Sequence, residues 1–268
     1  MKGVLFTPTS AFDLRKIADS GQCFRISEYE GNEFIAVTGN HAVSIHQDGD
    51  SYWFRCTEQE FQNVWWPYFD LDTDYAALQM LMMDDPFLRS AIEVGGGIRI
   101  LRQDLWETAV TFVISQRNNI PRIRSSVDTL CREFGSPLGK VHGQEVYAFP
   151  TAAQLRDKSL AAASLGYREP YVKELATYSD DVWRELQSQS DAKAKATLTS
   201  MRGIGEKVAN CIMLFGLHRM NSYPRDVWMN RLIDDIYHGE FDTAKYTGFA
   251  GYVQQLQFYY YRNKKFSF

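Results

Sequence analysis

The stretch Met201-Arg202-Gly203-Ile204-Gly205-Glu206-Lys207 decides how the rest of this chain is read. Two glycines flank a single aliphatic residue, so the backbone there can turn tightly and approach a ligand closely. From Glu206 onward the apolar positions Val208, Cys211, Ile212 and Phe215 recur at helical spacing. The glycines thus open a helix whose first amides lack intrahelical partners. Those amides, with the positive end of the helix dipole, suit a phosphate oxygen without any side-chain charge. Taken alone, a Gly-x-Gly turn is more often a plain helix start. Asp226, nineteen positions after Lys207, adds a carboxylate that can share a site with the amine.

Outward from this run, helical periodicity predicts helices over 58–67, 74–83, 86–94, 104–117, 121–134, 151–157, 168–179, 181–188, 192–200, 206–218, 226–238 and 245–262. From Glu33 to Cys56 the pattern alternates instead (Phe34, Ala36, Thr38, then Ala42, Ser44, and Tyr52, Phe54), with Asn40-His41 and Asp48-Gly49-Asp50 as turn candidates. An antiparallel sheet is the expectation there. Thr57 with Glu60 reads as a capping box, and Gly135-Ser136-Pro137 and Phe149-Pro150 as breaks. The fold class is therefore α+β: a small antiparallel-sheet N-terminal domain over 1–70, packed on a mainly helical body over 71–268 with a helix-hairpin-helix motif at about 194–218.

With 268 residues, 45% hydrophobic and 14% aromatic, the chain has ample material for a core. No apolar run approaches a membrane span, and Met1-Lys2-Gly3-Val4-Leu5-Phe6-Thr7-Pro8 is too short and too soon broken by proline for a signal peptide. The expectation is an intracellular, cytoplasmic monomer without membrane partners. Cys23, Cys56, Cys131 and Cys211 are scattered with no Cys-x-x-Cys pair, so neither a metal site nor a disulfide framework is expected.

The hairpin run with Lys207 and Asp226 does not stand alone. Ser20-Gly21-Gln22-Cys23-Phe24-Arg25, Leu101-Arg102-Gln103-Asp104, Ser115 through Arg122, Leu165-Gly166-Tyr167-Arg168, Pro224 through Met229 and Gly251 through Phe258 follow a family pattern in order along most of the chain. In these blocks the chain resembles the helix-hairpin-helix DNA glycosylases, and within them the 8-oxoguanine DNA glycosylase family. The resemblance implies a bifunctional glycosylase and abasic-site lyase in base excision repair. Its partner would be double-stranded DNA containing oxidised guanine, opposite cytosine. It implies Lys207 as nucleophile and Asp226 as essential carboxylate. Cys211 and Phe258 would sandwich the extruded purine, Gln254 would bond its Watson–Crick edge, and the Gly21 carbonyl would accept the N7 proton that 8-oxoguanine has and guanine lacks. No organic cofactor or metal centre is implied, although a hairpin of this type can hold a monovalent cation through backbone carbonyls.

The bare residues allow that chemistry without demanding it. Lys207 in the first turn of its helix sits where desolvation and the helix dipole disfavour the ammonium, and a neutral amine is a nucleophile; on a bare hairpin, pairing with phosphate is the plainer duty. Asp226 is placed to cap a helix, and a cap can also stabilise charge developing on a sugar. Periodicity alone puts Cys211 and Phe258 in the core, although Lys207 with Cys211 and Gln254 with Phe258 are each one helical turn apart. An extruded base leaves a gap. Asn118 and Asn119 offer amides there, with Arg117 standing where the family has the first of three asparagines. Arg122 and Arg168 match arginines that read the partner base, and Tyr167 matches a wedge in the stack. Gly203 and Gly205 would grip the backbone. Trp228 stands where the family often has a phosphate-contacting histidine.

A formal charge of -4 counts against a general electrostatic DNA binder. Its distribution softens this: Arg117, Arg122 and Arg124 cluster beside asparagines, Arg202 and Lys207 flank the hairpin, and Arg262, Lys264 and Lys265 lie near the end, whereas acids gather at Asp70 to Asp74. An ordinary solvated face is the plainer meaning of such runs. Two other functions remain open at this point: a glycosylase for alkylated or other damaged purines, and a non-enzymatic helix-hairpin-helix DNA-binding module.

Overall fold

The computed structural model describes residues 3–265, with the side chains of Lys264 and Lys265, like Met1 and Lys2, outside the described residues. The alternating segment forms an antiparallel sheet of β1 (Val4–Phe6), β2 (Ile26–Glu28), β3 (Glu33–Thr38), β4 (His41–Asp48) and β5 (Ser51–Phe54), in the order β1-β5-β4-β3-β2. Thr38 pairs with His41 and Asp48 with Ser51, so each hairpin closes through two residues. Gly39 (φ +52°) and Gly49 (φ +58°) take the left-handed position that such short connections require. The first turn is thus Gly39-Asn40, one residue earlier than the pattern suggested.

Period-2 alternation buries Phe34, Ala36, Val43 and Ile45 against helix α1 (Leu14–Asp19) and the 58–68 segment, where they join Leu14, Ile17, Phe61, Trp65 and Phe69 in one apolar cluster. The predicted helix at 58–67 forms with a wide π-helical stretch, Phe61–Trp65. Thr57 Oγ1 accepts from the Glu60 amide at 3.1 Å, but the Glu60 carboxylate accepts from Trp65 Nε1 at 3.3 Å instead of closing the capping box.

The helical body comprises α2 (Tyr75–Met80), α3 (Pro86–Gly95), α4 (Leu105–Ile114), α5 (Ile120–Phe134), α6 (Glu169–Leu175), α7 (Asp180–Ser188), α8 (Asp191–Ser200), α9 (Glu206–Phe215), α10 (Val227–Tyr237) and α11 (Ala250–Lys265), with a single turn at Ala152–Leu155. Helix α4 is buried at every position except Trp106 and packs against α9, while α11 packs against α3 and α10. It stops at Ile114, short of the predicted 117, because Arg117 takes a left-handed φ of +46°. The predicted helix from 245 begins only at Ala250: a 3-10 turn, Thr243–Tyr246, is broken from it by Gly248 at φ +93°.

A hairpin absent from the sequence reading, β6 (Pro137–Val141) with β7 (Gln144–Tyr147), reaches back to the sheet. His142 at its tip shares a 2.6 Å hydrogen bond with Ser44 and stacks on Tyr29 at 4.9 Å. This covers the face on which Ile35 pairs with Ser44, and explains why both are buried. Buried polar groups add a second tie between sheet and helices. Arg99 donates to the Asp70 and Thr73 carbonyls and to Ser10, while the Asp70 carboxylate accepts from Tyr75 at 2.9 Å and pairs with Arg102 at 2.8 Å. Burial alone would raise the Asp70 carboxyl; hydrogen bonding and charge from His218, with bonds from Thr73 and Tyr75, outweigh it and hold the group well below the carboxylate range. Among the described residues no helix is long and apolar enough to cross a membrane. All four cysteines are buried thiols.

Candidate active site

Helices α8 and α9 are joined by the glycine turn, and each glycine serves differently. Gly203 has φ +85°, and a Cβ there would lie 2.5 Å from Tyr171 Cγ, so both conformation and packing demand glycine. Gly205, the residue before α9, has φ -89° and open space where a Cβ would be. Among the described residues nothing requires glycine at 205. No side chain caps α9, so its first amides remain available at the surface beside this bare backbone.

Lys207 in the first turn of α9 and Cys211 one turn on face a small open cavity of about 40 Å³. Ser20, Gly21, Phe112, Phe215, Pro224, Asp226, Gln254, Gln255 and Phe258 complete its walls. Amine, carboxylate, thiol, amides and three aromatic rings thus meet at one place from five separate stretches of chain. The Lys207 Nζ lies 5.4 Å from the ring centroid of Phe112, which stacks on Phe215 at 5.3 Å. Burial pushes the Cys211 thiol up; Lys207 pulls it down and Asp226 raises it again. The sulfur therefore stays a neutral, polarizable face.

Asp226 caps a helix and also faces the cavity. Its Oδ1 accepts from the Met229 amide at 2.9 Å and so caps α10, and it lines the cavity with the lysine. Gln254 is only 6% exposed and its Oε1, buried, has no hydrogen-bond partner among the described residues. An unmet buried acceptor in a cavity wall is a place for a ligand's donor. Gly21, at φ +80°, lies against Phe258: a Cβ there would be 3.4 Å from Phe258 Cε1.

Three glutamines hold the Gly21 backbone in that place. Gln255 donates to the Ser20 carbonyl at 2.8 Å, Gln103 to the Gln22 carbonyl at 2.8 Å, and Gln22 bridges Ser20, the Arg99 carbonyl and the Leu101 amide. None of these was anticipated as part of the site, nor were Phe112, Phe215 and Ser20. Phe112 and Phe215 sit in apolar helical runs that read as core. For the glutamines, the signal was polar residues in otherwise buried stretches.

The remaining predicted residues spread over a surface around the cavity. Arg117 and Asn119 are exposed on the loop between α4 and α5, and Arg122 is exposed in the first turn of α5. Asn119 caps α5 by accepting from the Arg122 amide at 3.0 Å, and Asn118 donates to the Ile114 carbonyl at 3.1 Å. Tyr167 is half exposed. Arg168 differs from expectation. It is 7% exposed, and its guanidinium donates to the Gln116, Arg117 and Leu165 carbonyls instead of facing solvent. In this arrangement it braces the loop, with most of its N–H donors bonded to backbone carbonyls. Trp228 is half-buried, edge-on to Tyr261 at 6.4 Å, with the Arg231 guanidinium 5.9 Å from its ring. A cation therefore stands beside the position where a histidine was expected.

A family model described as the 8-oxoguanine DNA glycosylase N-terminal domain matches residues 4–109. The chain superposes on a Clostridium acetobutylicum 8-oxoguanine glycosylase/lyase, solved with double-stranded DNA containing cytosine opposite 8-oxoguanine, with TM-score 0.91 and 30% identity over 98% of this chain and 96% of that one. A structure of MBOgg1 in complex with a low-affinity DNA ligand gives TM-score 0.89 and 31% identity over 99% of this chain and 100% of that one. An N-glycosylase/DNA lyase of Saccharomyces cerevisiae is 33% identical over 156 residues, 51% of this chain and 41% of that protein, so the match spans less than half of the yeast enzyme. On fold, site and sequence together, the chain belongs to the 8-oxoguanine DNA glycosylase family.

Proposed function

We infer that this chain is a DNA glycosylase and abasic-site lyase that removes 8-oxoguanine from duplex DNA. The observation that carries the reading is the shared cavity of Lys207, Asp226, Cys211, Gln254, Phe258 and Gly21, with one buried acceptor on Gln254 left unmet.

Extruding the lesion costs roughly a few kcal/mol of unstacking. The first amides of α9, beside Gly205, meet a backbone phosphate and offset part of that cost. The purine then lies between the Cys211 sulfur and the Phe258 ring, and Gln254 Oε1 accepts from its Watson–Crick edge. The Lys207 amine forms a bond to C1′ of the deoxyribose. The bond from C1′ to the base breaks, its electron pair leaves with the base, and the base takes up a proton. Asp226 stabilises the positive charge on the sugar as that bond lengthens. Ring opening gives the Schiff base, whose acidified C2′ proton is lost as the 3′ phosphate leaves by β-elimination. Selection against guanine rests on the N7 proton: at the clamped Gly21 backbone guanine would set one acceptor against another.

The test is a lesion panel. Under single turnover the protein should release 8-oxoguanine far faster than alkylated purines, and fastest opposite cytosine. Faster release of an alkylated purine, or duplex binding with no release of any base, would overturn the reading. Equal rates opposite all four bases would remove Arg122 from partner reading.

A further inference from the structure

We propose that Gln116 is a positioning residue that couples the Arg117–Asn119 loop to the hairpin presenting Lys207, so that loop and hairpin move as one block; this rests on the glycosylase reading above. Gln116 bonds in both directions. Its side-chain Nε2 donates to the Gly203 carbonyl at 2.9 Å and to the Val113 carbonyl at 3.1 Å. Its own carbonyl accepts from Arg168 Nε at 2.8 Å and from Tyr167 Oη at 3.2 Å.

The segment that grips Gln116 also braces the hairpin. Tyr171 packs directly on Gly203, and the Arg202 guanidinium lies 5.6 Å from the Tyr171 ring and 3.5 Å from Glu174. Loop, brace and hairpin therefore form a closed triangle of contacts, in which Gln116 supplies the hydrogen bond that joins loop to hairpin. Arg168 adds a charge-assisted bond to the Arg117 carbonyl at 3.0 Å, which fixes the loop tip where its φ is left-handed.

Gly203 stands four residues before Lys207, at the turn that sets where α9 begins. Releasing its carbonyl lets that turn shift, and the amine shifts with it. Misplacement by about 1 Å at a reacting centre costs on the order of a hundredfold in rate. Gln116 touches no substrate; it acts through Gly203.

The experiment compares the full chain with Gln116→Met, which keeps the length of the side chain and removes its amide. Excision of 8-oxoguanine under single turnover should fall by roughly tenfold to a hundredfold, while Kd for undamaged duplex stays within about twofold of wild type. Amide hydrogen exchange over 201–207 should quicken in the free protein. Should Gln116→Met fold poorly, Gln116→Glu, which offers Gly203 no N–H at neutral pH, carries the same expectations. Unchanged excision with unchanged exchange overturns the proposal, as does a loss of binding as steep as the loss of rate. Absence of excision by wild-type protein would sink the functional reading alone, since the exchange measurement needs no DNA.

Discussion

Gln254→Met separates a residue kept for its ligand from one kept for the fold. The buried Gln254 Oε1 has no partner among the described residues, and an unmet buried acceptor costs about 1–3 kcal/mol. Methionine has a similar volume and no such acceptor, at a repacking cost under about 1.5 kcal/mol. The free protein should therefore be as stable as wild type or up to roughly 2 kcal/mol more so, which raises the thermal midpoint by about 2–4 °C per kcal/mol. With DNA bound the sign reverses, because the hydrogen bond to the extruded base is lost. At about 1.5–3 kcal/mol this slows excision by roughly tenfold to more than a hundredfold. The assay pairs thermal unfolding without DNA with single-turnover excision. A lower midpoint with normal excision would refute the reasoning, since it would mean that Gln254 serves the core.

The two hairpin glycines should respond in opposite ways. Gly203→Ala forces a side chain into φ +85° and against Tyr171, and denaturant unfolding should show a loss of roughly 2–5 kcal/mol. Gly205→Ala should cost under about 1 kcal/mol of stability and yet weaken duplex binding in a titration, because only a ligand uses the space beside it. Asp226→Asn keeps the cap on the Met229 amide, so its thermal midpoint should stay near wild type while excision falls at least about a hundredfold. Burial pushes the Glu107 carboxyl up to about 7, against the lowering charge of Arg25. The folded state therefore holds this proton more tightly than the unfolded chain, and the stability it contributes is full below about pH 4 and lost as pH rises towards 7. Glu107→Gln should flatten the decline in stability across that window, measured by denaturant unfolding at a series of pH values.

The sequence was most legible where a rule of period or spacing applied. Lys207 with Cys211 and Gln254 with Phe258 were placed on common helix faces by their separation of four, and one cavity receives all four side chains. The sheet followed from alternation, and Asp226 from the preference of aspartate for helix starts. What escaped lacked such a rule. The β6–β7 hairpin is short and half exposed, and its docking rests on His142 meeting Ser44, residues far apart in the chain. Strands β1 and β2 have three residues each, too few to display a period. Arg168 was matched to an arginine that reads the partner base, and its burial could not be foreseen because it depends on backbone carbonyls of a distant loop. The glutamines that clamp Gly21 are chosen by distant partners in the same way, so their polarity was visible and their purpose was not.

The central claim is that the Lys207 amine forms the bond to the sugar. Protein incubated with duplex carrying 8-oxoguanine opposite cytosine, reduced with borohydride and digested, should yield a single cross-linked peptide containing Lys207, and Lys207→Gln should yield none. A cross-link on another residue, or an undiminished adduct with Lys207→Gln, would contradict the account.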